Sequence, residues 1–439
     1  MRSKDLFSSF GQQRILGGAT TLAVCQISAS IAGLFRDRFL SSTFPELGVV
    51  DVYIAAFRPS DLLFQMMIMA GFSVALVPLL ASYKANDNKE KMSDLLSSVL
   101  TVFSIGFGFV ALLSAIFFPL LAPLFTQFEG EMFSMYISFG RIALFTNFLF
   151  VFGNAFGQYL ITSQRYWIYG LTPFIYTLGT IFGTLFLTPS FGAFGPIFGT
   201  LLGSVFYVLL RFFAVIRVGY RPKLLFWHSD LSEMFWLMLP RVIALGTLQA
   251  ELLLFDRIAS GLEIGSVTIN AYARNFQSVV IGVAGVALAQ SAFSLLSQAA
   301  SKSERKRFVI YVKKGITLVL ILTIPGAIIL SLSSPIAARL VSLTHVLPVF
   351  SVCLLFYAIS IPFESVNHLL LRSFYSLKQT AWPAALSVVN GSVAILIAFI
   401  FAPDIGVYAL AIGFTAGQVV QMLGLVVLLP IQIKRRMIQ

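Results

Sequence analysis

Charged residues are scarce in this chain. Only 11% of its 439 residues are Asp, Glu, Lys or Arg, against about 25% in soluble domains. Cysteine is nearly missing: Cys25 and Cys353 both sit inside apolar runs. That excludes a disulfide framework and leaves two small core residues. His228, His345 and His368 are too far apart to form a metal-ligand set. No P-loop, no Gly-rich nucleotide fingerprint and no nucleophile elbow occurs. An ATPase site, a resident metal, a cofactor and a catalytic centre are therefore not expected, and the chain does not read as an enzyme.

What is present is apolar surface. Hydrophobic residues make up 58% of the chain, with 44 Phe, more than one soluble core of this size could bury. A helix crosses the ~30 Å hydrocarbon core of a bilayer with about 20 residues. Apolar runs between charged or Pro/Gly breaks predict twelve spans, at 15–35, 52–82, 94–124, 133–161, 167–188, 192–216, 233–256, 266–298, 309–340, 347–374, 381–402 and 406–431. The first follows the short basic start MRSKDLFSSFGQQR and runs into Arg36, Asp37 and Arg38, not into a small-residue cleavage site. It reads as a retained helix and not as a signal peptide.

The net charge of +12 is explained by topology. With the N-terminus in the cytoplasm, the inward segments carry 22 of the 30 cations: Arg2, Lys4, Arg14, Lys84, Lys89, Lys91, Arg165, Arg211, Arg217, Arg221, Lys223, Lys302, Arg305, Lys306, Arg307, Lys313, Lys314, Arg372, Lys378, Lys434, Arg435 and Arg436. The outward loops hold mainly acids, Glu46, Glu129, Glu131, Asp256, Glu263 and Asp404. This is the positive-inside pattern, with both termini cytoplasmic; a nucleic-acid partner is not expected.

The chain also looks duplicated. A shift of 216 residues lays Ala55, Arg58, Leu79 and Leu80 on Ala271, Arg274, Leu295 and Leu296. In both copies a long helix then meets a charged loop, KANDNKEK at 84–91 and SKSERKR at 301–307. The expected architecture is an all-α polytopic membrane protein of two six-helix lobes, residues 1–219 and 220–439. A pseudo-twofold axis along the membrane normal would relate them, with a cavity between.

Ionisable groups at membrane depth cost ~2.5–3.5 kcal/mol on insertion scales and mark cavities or partners. The candidates are Arg36, Asp51, Arg58, Asp61, Arg141, Arg241, Glu251, Arg274 and Glu364. The surplus is arginine, whose planar fork matches phosphate oxygens in pairs, so the expected ligand is an anion such as a phosphate or diphosphate. Plainer roles stand beside this one. Arg36 and Arg38 can be interfacial anchors, Arg58 can pair with Asp51 or Asp61, Arg141 can snorkel to the interface, and Asp51 can be a helix N-cap.

Two stretches resemble the MurJ/MviN-type lipid II flippases of the MOP exporter superfamily. AGLFRDRFLSSTFPELGVVDVYIAAFRPSDLL, with AGFSVALVPLLASYK after it, is similar to the family's helix 1–2 signature through Arg36, Asp37, Asp51, Arg58, Phe72, Ser73, Val77 and Pro78. LPRVIALGTLQAELLLFDRIASGLEIGSVTINAYARN resembles its helix 7–8 region through Pro240, Arg241, Gln249, Asp256 and Arg274. FYSLKQTAWP at 374–383 is a weaker match to the helix 10–11 loop. The resemblance implies a MOP/MATE-like fold and a flippase in the bacterial inner membrane. Such a protein moves an undecaprenyl-diphosphate-linked peptidoglycan precursor outward by alternating access, driven by an ion gradient, the membrane potential or the substrate's own gradient. Arg36, Arg58, Arg241 and Arg274 would be cavity cations with Asp51 as acidic companion; Asp61, Arg141, Gln249, Glu251 and Glu364 would be secondary. Partners would be the lipid-linked diphosphate, membrane lipids and cell-wall synthesis proteins.

The chain departs from the family pattern at Ser30, Phe64 and Gln65, where cations are usual, and at Met69 and Gln379, where acids are usual. It ends at Gln439, short of two further C-terminal helices common in the family. A flippase for another lipid-linked oligosaccharide of the O-antigen type is therefore a second expectation. A MATE-type antiporter would want cavity acids, and a non-transporting membrane scaffold would tolerate the lost charges.

Overall fold

The computed structural model describes residues 3–436, with side chains from residue 20 onward except at 73, 74, 240, 243 and 244. The inward cations Arg2, Lys4 and Arg14 and the motif residues Ser73 and Pro240 lie outside those side chains. The described chain is helices joined by short loops, with no strand among the described residues. Its helices are α1 (Ser3–Thr43), α2 (Gly48–Phe64), α3 (Val77–Ala85), α4 (Lys89–Phe125), α5 (Gly130–Thr162), α6 (Tyr166–Phe182), α7 (Thr188–Phe191) and α8 (Gly195–Val218). There follow α9 (Asp230–Ala259), α10 (Ser266–Val280), α11 (Ala287–Ser301), α12 (Arg305–Leu332), α13 (Ser334–Leu340), α14 (Leu347–Ser376), α15 (Ala381–Ile405) and α16 (Tyr408–Arg436). Among the described residues, eight stretches are long and apolar enough to cross a membrane. One of them, Tyr166–Val218, reverses at Gly192, whose φ of +55° suits a residue without Cβ. The protein is a multi-pass membrane protein.

The predicted span 52–82 is a continuous rod of different internal geometry. π-helical turns at Gln65–Met69 and Phe72–Leu76 join α2 to α3. Further π-helical stretches are Gly183–Leu187, after α6, and Ile281–Val286, which joins α10 to α11. The 216-residue shift carries Gln65 onto Ile281, so the first and last of these stretches begin at equivalent positions. The duplication seen in four identities is thus repeated in backbone geometry.

The chain forms two compact units. The first holds Met1–Pro45, Ala56–Pro123 and Glu129–Gly246; the second holds Glu46–Ala55, Leu124–Phe128 and Thr247–Gln439. Within the first, α6 and α8 meet along glycines. A Cβ on Gly179 would lie 2.5 Å from Gly203 Cα, and one on Gly199 would lie 2.3 Å from the Gly179 carbonyl oxygen. Backbone touches backbone there, as in small-residue membrane interfaces. α8 closes at Gly219 (φ +106°) with Gly219 N donating to the Ile216 carbonyl and Tyr220 N to that of Val215, a Schellman-type end. The following loop is tied to α4: Lys223 lies 2.7 Å from Asp94 and 3.3 Å from Glu90. The hydrogen bond to Asp94, with Glu90 adding to it, holds its ammonium above the ordinary lysine range.

One inward cation is elsewhere than its charge suggests. Arg211, counted above with the cytoplasmic segments, is 2% exposed inside the first unit. Its Nε donates to Thr172 Oγ1 at 2.8 Å, Nη1 to the Gly153 carbonyl at 2.8 Å and to the Tyr207 hydroxyl, and Nη2 to the Tyr169 carbonyl at 3.0 Å. The Tyr169 and Tyr207 rings lie 4.8 and 4.1 Å from the guanidinium carbon. Hydrogen bonds and ring faces replace water around this cation, which pins α5, α6 and α8 together. Asp256, expected in an outward loop, is likewise in α9 and 2% exposed.

Candidate functional site

Two clusters of buried polar groups, one in each unit, contain candidate residues from the sequence. In the first unit, Asn147 of α5 donates to Asp61 Oδ1 at 2.9 Å and to Ser60 Oγ at 2.7 Å. Arg58 stands one turn before Asp61 on α2, near enough to act on that carboxylate through its charge. In the second unit, Gln277 of α10 donates to Glu364 Oε2 at 2.6 Å and to Ser360 Oγ at 3.1 Å. Arg274 stands one turn before Gln277, as Arg58 does before Asp61. The 216-residue shift lays Asp61 on Gln277, so the two clusters are counterparts. Each has an arginine, then an amide bridging a serine hydroxyl to a carboxylate, with amide and carboxylate exchanged between helices.

Arg274 is the most constrained of these cations. Its Nη2 is 3.3 Å from Glu251 Oε1, with the two side chains 17% and 7% exposed. The guanidinium carbon lies 4.7 Å over the Phe414 ring. Its Nη1 is buried with no hydrogen-bond partner. A buried, unpaired donor on a permanent cation costs about 1–3 kcal/mol or more, and an anionic oxygen would relieve it. Glu364 is close to the same pair, with His368 Nε2 3.9 Å from its Oε1. Nearby, Tyr357 donates to Asn270 Oδ1 at 2.6 Å.

Asp51 has a different role from that of a companion to arginine. Its carboxylate is 2% exposed and accepts from the Gly265 and Thr268 backbone N–H groups at 2.6 and 2.8 Å. It also accepts from Thr268 Oγ1 at 2.5 Å. Gly265 precedes α10 with φ +97° and has no side chain to cap it. Asp51 therefore caps the first turn of α10 from another helix, its carboxyl oxygens facing the positive end of the helix dipole.

The other candidates lie apart from the two clusters. Arg36 pairs with its neighbour Asp37 at 2.6 Å. Arg241 is exposed and Gln249 half-buried on α9. Arg141 is exposed on α5 and donates through Nε to the Ala115 carbonyl at 2.9 Å. The sequence reading missed Asn147, Gln277, Ser360 and Phe414. The signal that could have found one of them is the 216-residue shift, which lays Asp61 on Gln277. Among the described residues, no group of three or more His, Cys, Asp or Glu side chains could hold a metal ion.

The fold of two helical units is similar to that of solved membrane transporters. An inward-facing multidrug resistance MATE family transporter of the MOP superfamily matches with a TM-score of 0.77, covering 93% of this chain and 95% of its own at 16% identity. Lipid II flippase MurJ in an inward closed conformation matches at 0.79, covering 92% and 86% at 23% identity. At these identities the likeness concerns the fold. The family itself is fixed by sequence: the model of the family described as lipid II flippase MurJ matches residues 40–438, and the chain belongs to that family. Among its relatives, the probable lipid II flippase MurJ of Thermotoga maritima is 28% identical over 402 residues, 89% of this chain and 81% of that protein. The lipid II flippase MurJ of Burkholderia cenocepacia is 21% identical over 416 residues, 90% and 80% of the two.

Proposed function

We propose that this protein flips an undecaprenyl-diphosphate-linked peptidoglycan precursor, lipid II, from the inner to the outer leaflet of the bacterial cytoplasmic membrane. The halves 1–219 and 220–439 act as the rocking lobes of an alternating-access cycle, with both termini in the cytoplasm. The observation that carries this reading is Arg274, whose Nη1 is buried and unpaired while Glu251 and Phe414 fix the rest of the guanidinium. Arg274 receives the diphosphate and Arg58 serves as its counterpart in the first half. Asp61 and Glu364, held by Asn147 and Gln277, set the field around the two cations. Arg36 and Arg241 add positive charge at the margins, and Gln249 and Glu251 line the same helix, α9. Asp51 contributes by fixing the start of the helix that bears Arg274.

The test is complementation of a strain depleted of its lipid II flippase, with the wild-type chain, Arg274→Ala and Arg274→Lys. Rescue is expected from the wild type and not from Arg274→Ala. Arg274→Lys keeps the charge but loses the fork, and is expected to rescue partially. Failure of a well-expressed, membrane-inserted wild-type chain would overturn the lipid II assignment. One observation favours a second substrate, a lipid-linked glycan of the O-antigen type. Phe64 stands where the family usually has a cation and is built into an aromatic cluster, its ring centroid 6.1 Å from that of Phe107 and 6.3 Å from that of Phe150. The site is thus less cationic than the family pattern.

A further inference from the structure

On the first unit, α4 and α5 enclose a groove of about 310 Å³. Gly108, Ala111 and Ala115 form its α4 side; Leu144, Phe145 and Phe148 form its α5 side, with Arg141 at one end. The groove exists because the α4 residues are small. A Cβ on Gly108 would already stand 3.0 Å from the Phe148 ring. Its open side faces hydrocarbon, with Phe145 51% and Leu112 60% exposed. On α5, residues 141, 144, 145 and 148 share one helical face. Asn147, with the Asp61 cluster, belongs to another, so the groove is separate from that cluster.

Proline explains how Arg141 is held. Pro119 of α4 has no N–H to offer the Ala115 carbonyl four residues earlier. Arg141 Nε donates to that carbonyl at 2.9 Å. The stem and inner nitrogen are fixed, and the terminal amino groups have neither a hydrogen-bond nor an acidic partner among the described residues. The depth is also informative. α5 has 33 residues, a length of roughly 50 Å against ~30 Å of hydrocarbon. About 10 Å of helix therefore projects beyond each boundary if the helix is centred. Arg141 lies about 16 Å from the Gly130 end, so its guanidinium reaches headgroup level by snorkelling. Phe148 and Gly108 lie about 10 Å deeper than Arg141 and Ala115 along their helices. A fixed cation at the headgroup level thus stands above an apolar trough that runs toward the bilayer centre.

We propose that this groove binds an anionic membrane phospholipid of the phosphatidylglycerol type. Its phosphate pairs with the terminal nitrogens of Arg141, and one acyl chain lies in the trough between α4 and α5. Arg141, with no acidic partner among the described residues, selects the anionic headgroup over a zwitterionic one, whose own ammonium would meet the guanidinium.

Native mass spectrometry of the detergent-purified full chain, titrated with phosphatidylglycerol and phosphatidylethanolamine of the same acyl composition, tests the site. The wild type is expected to bind phosphatidylglycerol about ten-fold more tightly, the worth of one partly buried charge pair. Arg141→Gln is expected to bring that ratio close to one. Gly108→Leu, which fills the trough, is expected to weaken both lipids. A wild type without preference, or Arg141→Gln with the preference intact, would overturn the proposal. The wild-type chain alone provides a second measurement, a phosphatidylglycerol with a photoreactive acyl chain. Cross-links at Phe145 and Phe148 support the site; cross-links that avoid α4 and α5 sink it. Displacement of that label by undecaprenyl diphosphate would assign the groove to the transported lipid and also refute the proposal.

Discussion

Asp51 offers a sharp quantitative test of the architecture. Its carboxylate is the acceptor for two backbone N–H groups and one hydroxyl at the start of α10. Gly265 has no side chain to take over the capping, and Thr268 is fully buried, so water does not replace the lost acceptor. Asp51→Ala leaves three donors unpaired. At about 1–3 kcal/mol for each buried unsatisfied group, less some relaxation, the expected destabilisation is about 3–5 kcal/mol. Asp51→Asn keeps one acceptor oxygen but turns an amide N–H₂ toward donors, and about half that loss is expected. Thr268→Val removes only the hydroxyl and is expected to cost about 1 kcal/mol. Because the two residues share a bond, the double variant Asp51→Ala/Thr268→Val should fall short of additivity by about 0.5–3 kcal/mol. Thermal unfolding in detergent gives the stabilities, and hydrogen exchange at Gly265 to Thr268 localises the effect. The capping assignment is refuted if Asp51→Ala melts with the wild type and exchange at those amides is unchanged.

Other substitutions probe other parts of the molecule. Arg211→Met is expected to be better tolerated than Arg211→Lys, because it removes the buried charge while a lysine retains it with fewer bonds. The lysine variant should lose about 3–5 kcal/mol, and equal melting temperatures for wild type and Arg211→Lys would contradict the pinning role. Gly199→Ala forces a methyl against the Gly179 and Gly183 backbones and should cost about 3 kcal/mol or more, read as a lower melting temperature and reduced yield in membranes. Glu251→Gln removes the ion-pair partner of Arg274 while keeping its shape. It leaves the buried Arg274 cation without that partner, so it should both alter flipping and cost about 3–5 kcal/mol of stability, as checked by an in vivo lipid II accessibility assay beside thermal unfolding.

Hydropathy made the helices legible because a membrane span must be long and apolar whatever it packs against. Interruptions within the spans were not legible. Nothing in QMMIM or FSVAL marks a π-helical turn, which depends on backbone register over a whole rod. Arg58 and Arg274 stood out as costly charges at matched positions, and the structure gives each a counterpart environment. Asp51 was visible as a buried acid whose local pattern pointed to capping its own helix or to a cavity. Its actual partners lie more than 200 residues further along the chain. Arg211 was masked for a similar reason. Positive charge near the end of a span ordinarily means cytoplasm, and only tertiary packing reveals the carbonyls and tyrosines that enclose it. Asn147 and Gln277 carried no charge signal at all, although they hold the two carboxylates of the candidate site.

The glycine seam between α6 and α8 has a consequence for how this protein is made. The two helices are close neighbours in the chain, separated only by the short segment that turns at Gly192, and their contact is backbone on backbone. That contact needs no residue beyond Val218, so it can form while the second half is still being synthesised. A membrane chain with few partners early in insertion exposes each helix to lipid until the next arrives. This hairpin instead supplies an interface of its own, of low sequence separation and tight fit. A bulky residue at Gly179, Gly183, Gly199 or Gly203 would therefore part this hairpin during assembly, before it could act on transport.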